Sequence, residues 1–386
     1  MRVFLSLFPC IVFMMLSACG GGGGSSATTT TPVATTPTYP TSTTPIPVLA
    51  SSYLNKIAAG NTIGSIALPS EVSAGNAVAF ADFFQDGHYS MVTHSLEYKV
   101  GNTSTYSNYG HIHFYRLNSA GVWVDNTAQL LTNNVGCLHP RKAVVGDFNG
   151  DGKPDVFFAC HGVDASPFPG EQPHYLLSKA DGTYQNVTLP VTCFCHSATV
   201  GTLNATGYAD VVVVDNVVNQ QPFLLKNNGA SGGFTKTSLG LSSTQYKEIF
   251  TTEILPINGS SLFLGGNGAD PNYPAGVFPP TLFPSIAGGF TETGKTVIPV
   301  NSNYQLPLDV LVNGNNLYLL NVQLTWTSAV YGPSDIDRVN LSTLAATSIY
   351  TGPASFSTGT TWINWINFYG SNVVSMDSIY GVSVPK

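Results

Sequence analysis

Charge is what this chain has least of. Only 9% of its 386 residues are Asp, Glu, Lys or Arg, against about a quarter in ordinary soluble domains. The 14 basic and 21 acidic residues are scattered, with no basic run, which argues against a surface built to hold nucleic-acid phosphates. No long apolar pattern of helical period follows the N-terminus, so a helical domain is excluded. No Gly-x-Ser-x-Gly elbow occurs, and a hydrolase of that type would lack its nucleophile. No phosphate-cradling loop is present either, since Gly265-Gly266-Asn267-Gly268 reads as a turn. What remains is rich in Gly, Ser, Thr, Asn and aromatic residues, the profile of a neutral, turn-rich β protein outside the cytoplasm.

The N-terminus reads as an address. Met1-Arg2 is a short positive region, and Val3 to Leu16 is an apolar stretch too short to span a membrane as a mature helix. Leu16-Ser17-Ala18-Cys19-Gly20 resembles a bacterial lipobox, which implies residues 1–18 as a signal peptide and Cys19 as the lipidated first residue. Gly after Cys19, rather than Asp, implies the outer membrane, with the head facing the periplasm or the surface. Acyl chains, and no spanning helix, would hold it there. Residues 19–50 are Gly, then Thr, Pro and Ser. With few apolar groups to bury, they are expected to form a flexible tether.

From 51 to 386 short runs of Val, Ile, Phe, Tyr and Leu alternate with Gly, Asn, Asp and Ser turns, a pattern of antiparallel strands. One stretch stands out: Asp147-Phe148-Asn149-Gly150-Asp151-Gly152-Lys153-Pro154-Asp155. Side-chain oxygens fall at positions one, three, five and nine, from Asp147, Asn149, Asp151 and Asp155. Gly152 permits the turn, and Lys153 offers its carbonyl. Ca²⁺ takes six to eight hard oxygens, and this order supplies most of them from one loop. Apolar strands flank it, Ala143-Val144-Val145 and Val156-Phe157-Phe158-Ala159, so it is not an EF-hand. The loop resembles the calcium loop of FG-GAP/VCBS repeats, the β-propeller repeats of integrin α-subunit heads and many bacterial surface proteins. That resemblance implies an all-β propeller of four-stranded blades and one Ca²⁺.

Internal similarity extends the reading. Copies of the unit begin near residues 79, 143, 197, 248, 304 and 361, roughly 50 to 65 residues apart, which suits a four-stranded blade. Six blades are expected, with seven as the alternative. The final copy ends too early for its second pair of strands, whereas Tyr53-Leu54-Asn55-Lys56 and Thr62 to Ile66 form a pair lacking a first. The N-terminal strands are therefore expected to complete the last blade and close the ring. The copies of the calcium loop are incomplete. The first keeps Asp82 and Asp86 but has Phe84 and Ser90, and the third has Thr202, Asn204, Thr206 and Asp210.

A four-stranded blade sorts the remaining residues by face. Cys137, His139 and Arg141 precede a first strand; Cys160, His161 and Asp164 follow a second; Cys193, Cys195 and His196 precede the next first strand. All fall on the face opposite Asp147–Asp155. Two readings stand. In one the cysteines form two disulfides, as an oxidising envelope favours; a Cys193–Cys195 bond is sterically poor, so Cys137 and Cys160 would each join one of that pair. In the other, cysteines and His139, His161 and His196 bind Zn or Cu. His139, Arg141, His161, Asp164 and His196 are the candidate ligand face.

The function expected is a calcium-stabilised, envelope-anchored module that binds a protein or glycan partner, a step that rests on fold analogy. The alternative is an extracytoplasmic enzyme acting on polysaccharide or lipid, drawing on His94, Glu97, Asp164, Glu171, His174 and Asp215. A purely structural subunit is the third. The tryptophans Trp123, Trp326, Trp362 and Trp365 are expected in blade cores rather than as sugar platforms.

Overall fold

A computed structural model describes the chain at residues 53–56, 61–63 and 66–68 by backbone. It also describes 77–386 except 89, 121, 204–207, 218–219, 231–232, 242–245, 247–248, 250, 256–260, 267–278, 300–305, 325–330, 353–365, 370–371 and 377–379. The leader, Cys19 and the tether lie outside the described residues, as do Trp326, Trp362 and Trp365. No described helix is long and apolar enough to cross a membrane.

The described chain is all-β, with six antiparallel blades arranged as a propeller. Their first strands begin at Val78, Pro140, Cys195, Thr251, Leu306 and Asn367, close to the repeat read from the sequence. In blade 2 the four strands are Pro140–Gly146, Asp155–Cys160, His174–Ser178 and Tyr184–Thr188, each paired with its neighbour in sequence. Blade 4 carries an additional short strand, Thr296–Val297, beside its third.

Ring closure differs in detail from the expectation. Tyr53–Lys56 pairs with Tyr380–Pro385 and becomes the outer strand of blade 6. The C-terminal segment supplies the other three, Asn367–Tyr369, Asn372–Met376 and Tyr380–Pro385. Asn61–Ile63 pairs instead with Ile66–Leu68 as a separate hairpin. With three strands of blade 6 supplied by the C-terminal segment, one strand position is left for the N-terminus. Joining the first and last strands in one sheet leaves no open edge between the ends of the ring.

Burial follows position in the blade. The second strands Asp155–Cys160 and Asp210–Asp215 are buried throughout, since each packs against a neighbouring blade on both sides. Alternate residues divide between the neighbours: Val156, Phe158 and Cys160 pack with Val92 and Phe114 of blade 1, while Phe157 and Ala159 pack with Ala198, Val211 and Val213 of blade 3. This is the period-two alternation of a strand with two apolar faces. Fourth strands such as Phe234–Ser238 are largely solvated. Trp123 is buried, on the outer strand of blade 1.

First strands carry a recurrent irregularity. In blades 2, 3 and 5 the register slips by one residue, between Pro140 and Lys142, Cys195 and Ser197, and Pro307 and Asp309. Arg141, His196 and Leu308 are thus equivalent bulge residues. A bulge re-aims the side chains around it, and here it sets what enters the channel and what reaches the face.

Candidate functional site

The hairpin loop Asp147–Asp155 lies at one end of blade 2, beyond the Gly146–Asp155 pair. Gly150 and Gly152 both adopt φ of 77°, a left-handed conformation that favours glycine. A Cβ at Gly150 would in addition strike Tyr208 of the next blade. The Asp147 carboxylate accepts the N–H groups of Gly150, Asp151 and Gly152. Asn149 Oδ1 accepts that of Asp151, and Asn149 Nδ2 donates to the carbonyl of Ser178. Asp151 accepts from Ser178 Oγ at 3.1 Å and from the Lys153 N–H, and Lys153 Nζ donates to the Lys179 carbonyl at 2.9 Å.

Asp155 sits deeper. Its Oδ2 accepts the Phe148 N–H at 2.7 Å and its Oδ1 the Ser178 N–H at 2.6 Å. Burial pushes this carboxyl up to about 7, with Asp151 adding to the shift and the hydrogen bonds opposing it. The donor set consists of hard oxygens, the ligand type that Ca²⁺ takes.

The copies clarify the role of position nine. Asp210 accepts the Leu203 N–H at 2.9 Å and the Asn227 N–H at 2.8 Å, matching both bonds of Asp155. In blade 1 the Ser90 hydroxyl accepts the Phe83 N–H at 3.0 Å, and Asp82 accepts from Asp86 and Gly87. The residue at position nine therefore clamps its hairpin with or without other acids in the loop.

At the opposite end the four cysteines pair as Cys137–Cys160, with Cα atoms 5.9 Å apart, and Cys193–Cys195, with Cα atoms 5.0 Å apart. This corrects the crossed pairing expected above. Cys160 lies opposite Pro140 in the sheet, which brings it to Cys137 just upstream. Cys193 instead bridges to Glu171 through its backbone while Cys195 opens blade 3, so the chain bends between the two and they meet each other.

Around these bonds the histidines gather. The His161 N–H donates to the His139 carbonyl at 2.8 Å, and their rings meet edge-on at 4.8 Å. His196 lies 5.5 Å from His161, ring to ring, and its Nε2 is 3.0 Å from Arg141 Nη2. The two bulge residues of adjacent blades are thus in contact. Asp164, half-buried, donates its N–H to Tyr98 Oη. His139 is 4% exposed and His161 3%. Burial holds both imidazoles well below their ordinary pKa, with Arg141 adding to the effect, so both are neutral.

Of the six enzymatic candidates, His94, Glu97, Glu171, His174 and Asp215 make structural bonds through their side chains. His94 donates from Nδ1 to the Ser95 carbonyl and accepts the Cys137 N–H at Nε2. Glu171 accepts three N–H groups, from Leu138, His139 and Gly162. His174 contacts Asn186, Asp215 accepts from Phe194, and Glu97 pairs with His111.

Sequence reasoning missed the central channel. First strands of all six blades line a cavity of about 220 Å³ containing Lys142, Glu253 and Asp309. Lys142 Nζ meets Asp309 Oδ1 at 2.6 Å, and Thr199 Oγ1 donates to Glu253 at 2.8 Å. Charged residues on otherwise apolar first strands were the available signal.

Residues 103–158 match the family model of the FG-GAP-like repeat, a window that includes the loop Asp147–Asp155. No curated protein matches the chain. Solved structures that the chain matches include a nidogen/laminin complex, at 11% identity and a TM-score of 0.41, covering 70% of this chain and 82% of that one. Another is a Bacteroides fragilis protein provisionally assigned as a 6-phosphogluconolactonase, at 12% identity and a TM-score of 0.46, covering 84% and 88%. Neither likeness carries an activity across.

Proposed function

We propose that this FG-GAP-type β-propeller is an interaction module of the cell envelope, anchored through Cys19, stabilised by Ca²⁺ at Asp147–Asp155, and docking a protein partner on the opposite face. One observation carries the reading. Val100, Tyr109, Val135 and Phe168 are 61%, 49%, 45% and 42% exposed. All four lie on loops joining second to third strands or one blade to the next, at the end that bears the disulfides. They are four of the eight exposed large apolar residues among the described residues, the others being Val122, Val124, Ile286 and Val297, and apolar residues that share one end of a fold favour a protein contact over a sugar site. Phe168 sits at a φ of 56°, a conformation a bulky side chain adopts only under constraint, while its ring rests edge-on against Phe194. An aromatic held outward in this way is already ordered for binding.

The enzymatic reading draws on His94, Glu97, Asp164, Glu171, His174 and Asp215, and all but Asp164 have side-chain atoms engaged in the bonds described above. Cross-linking of the full chain in envelope preparations, with Tyr109→Ser and Phe168→Ser as controls, tests the proposal. A defined partner captured by the native chain and lost in both variants supports it. Capture of a glycan on an array instead, or turnover of a polysaccharide or lipid, overturns it.

A further inference from the structure

We propose a second metal site on the disulfide-bearing face, where His139, His161 and Asp164 bind a borderline divalent transition-metal ion such as Zn²⁺. One ligand atom from each of the three lies within 4.8 Å of the others, a spacing that a single ion can bridge. The Nδ1 atoms of His139 and His161 are buried and have no hydrogen-bond partner among the described residues. A buried imidazole nitrogen without a partner is costly, and here two occur side by side. Metal coordination would satisfy both.

The surroundings prepare the cluster. His139 is held by an interaction with the Gly162 backbone, the kind of second contact that orients a metal-binding imidazole. Glu171 fixes the backbone of His139 and Gly162 through their N–H groups, and the Cys137–Cys160 bond ties the two segments together. Arg141 opposes a cation, and the carboxylates of Asp164 and Glu171 offset it. Two imidazoles and a carboxylate suit Zn²⁺ and related ions and leave at least one coordination position open. The cysteines, bonded in pairs, do not compete as ligands.

The test uses the full chain without a histidine tag, stripped with a chelator and dialysed against Zn²⁺ in millimolar Ca²⁺, with bound metal counted by mass spectrometry. One Zn²⁺ per chain is expected, not displaced by Ca²⁺, with affinity lowered about tenfold or more in Asp164→Asn and in His161→Gln. Should the histidine variant fail to fold, Asp164→Asn and the Co²⁺-substituted native chain decide. Co²⁺ is expected to show visible bands of nitrogen and oxygen ligation with no thiolate charge-transfer band. No retained Zn²⁺, unchanged affinity in Asp164→Asn, or a thiolate band would each overturn the proposal.

Discussion

Lys142 and Asp309 occupy the same position in two opposed blades, each one residue past a β-bulge, and they meet across the central channel at 2.6 Å. Asp309 also accepts the Ile366 N–H at 2.9 Å, which ties blade 6 to the same point. Three blades are thus joined at the axis by one buried ion pair. Removing one partner of such a pair leaves an uncompensated charge. Lys142→Met is expected to destabilise the fold by about 3–5 kcal/mol, read by denaturant unfolding. A loss below about 1 kcal/mol would show that the channel solvates Asp309 unaided.

Glu253 gives the channel a pH dependence. Burial pushes its carboxyl up to about 7 from 4.5; Lys142 pulls it down and Asp309 pushes it up. The folded state therefore holds a proton that the unfolded chain releases, so stability falls as pH rises from about 4.5 through 7. Asp155 and Asp335, also pushed to about 7, act in the same direction. In Glu253→Gln this decline should be shallower by about 3 kcal/mol, measured as melting temperature from pH 4 to 8. An unchanged profile would place the Glu253 pKa near its ordinary value.

Asp151 and Asp155 should separate metal from clamp. Ca²⁺ is expected to raise the melting temperature and EDTA to lower it, with a Kd on the order of 10⁻⁴–10⁻³ M. Asp151→Ala should abolish that difference. Asp155→Ala should destabilise the chain by about 2–4 kcal/mol even in EDTA, because two buried N–H groups lose their acceptor, and Asp210→Ala should do the same. A melting curve indifferent to millimolar Ca²⁺ would dismiss the ion while leaving the clamp intact.

The disulfides can be read directly. Peptide mapping without reduction should find Cys137 joined to Cys160, and Cys193 and Cys195 within one peptide. The first closes a separation of 23 residues, and its loss should cost about 3 kcal/mol. Cross-linked peptides joining Cys160 to Cys193 or Cys195 would reinstate the crossed pairing.

The blade repeat was legible because each copy recurs as an apolar strand, a Gly/Asp turn and a second apolar strand, and burial on both faces demands that pattern locally. Ring closure was legible in outline: Tyr53–Lys56 does complete blade 6, but one strand crosses over rather than two, because the C-terminal segment itself supplies three. The expected cysteine pairing rests on the steric cost of a bond between residues two apart, and the structure differs. What decided it was the bend that the Glu171–Cys193 bridge imposes.

By itself, then, the sequence determined the class of the fold, the blade period, the loop Asp147–Asp155 and the face on which His139, Arg141, His161, Asp164 and His196 fall. These follow from local alternation and from the order of strands within a blade. Only the tertiary structure decided that Asp155 is a hairpin clamp shared with Asp210, that Lys142 meets Asp309, and that two neighbouring buried imidazoles each have an Nδ1 with no hydrogen-bond partner among the described residues. Such contacts join residues from different strands and blades, and bulges of a single residue set their aim. A sequence pattern carries the period of a strand; it does not carry the angle at which two blades bring their side chains together.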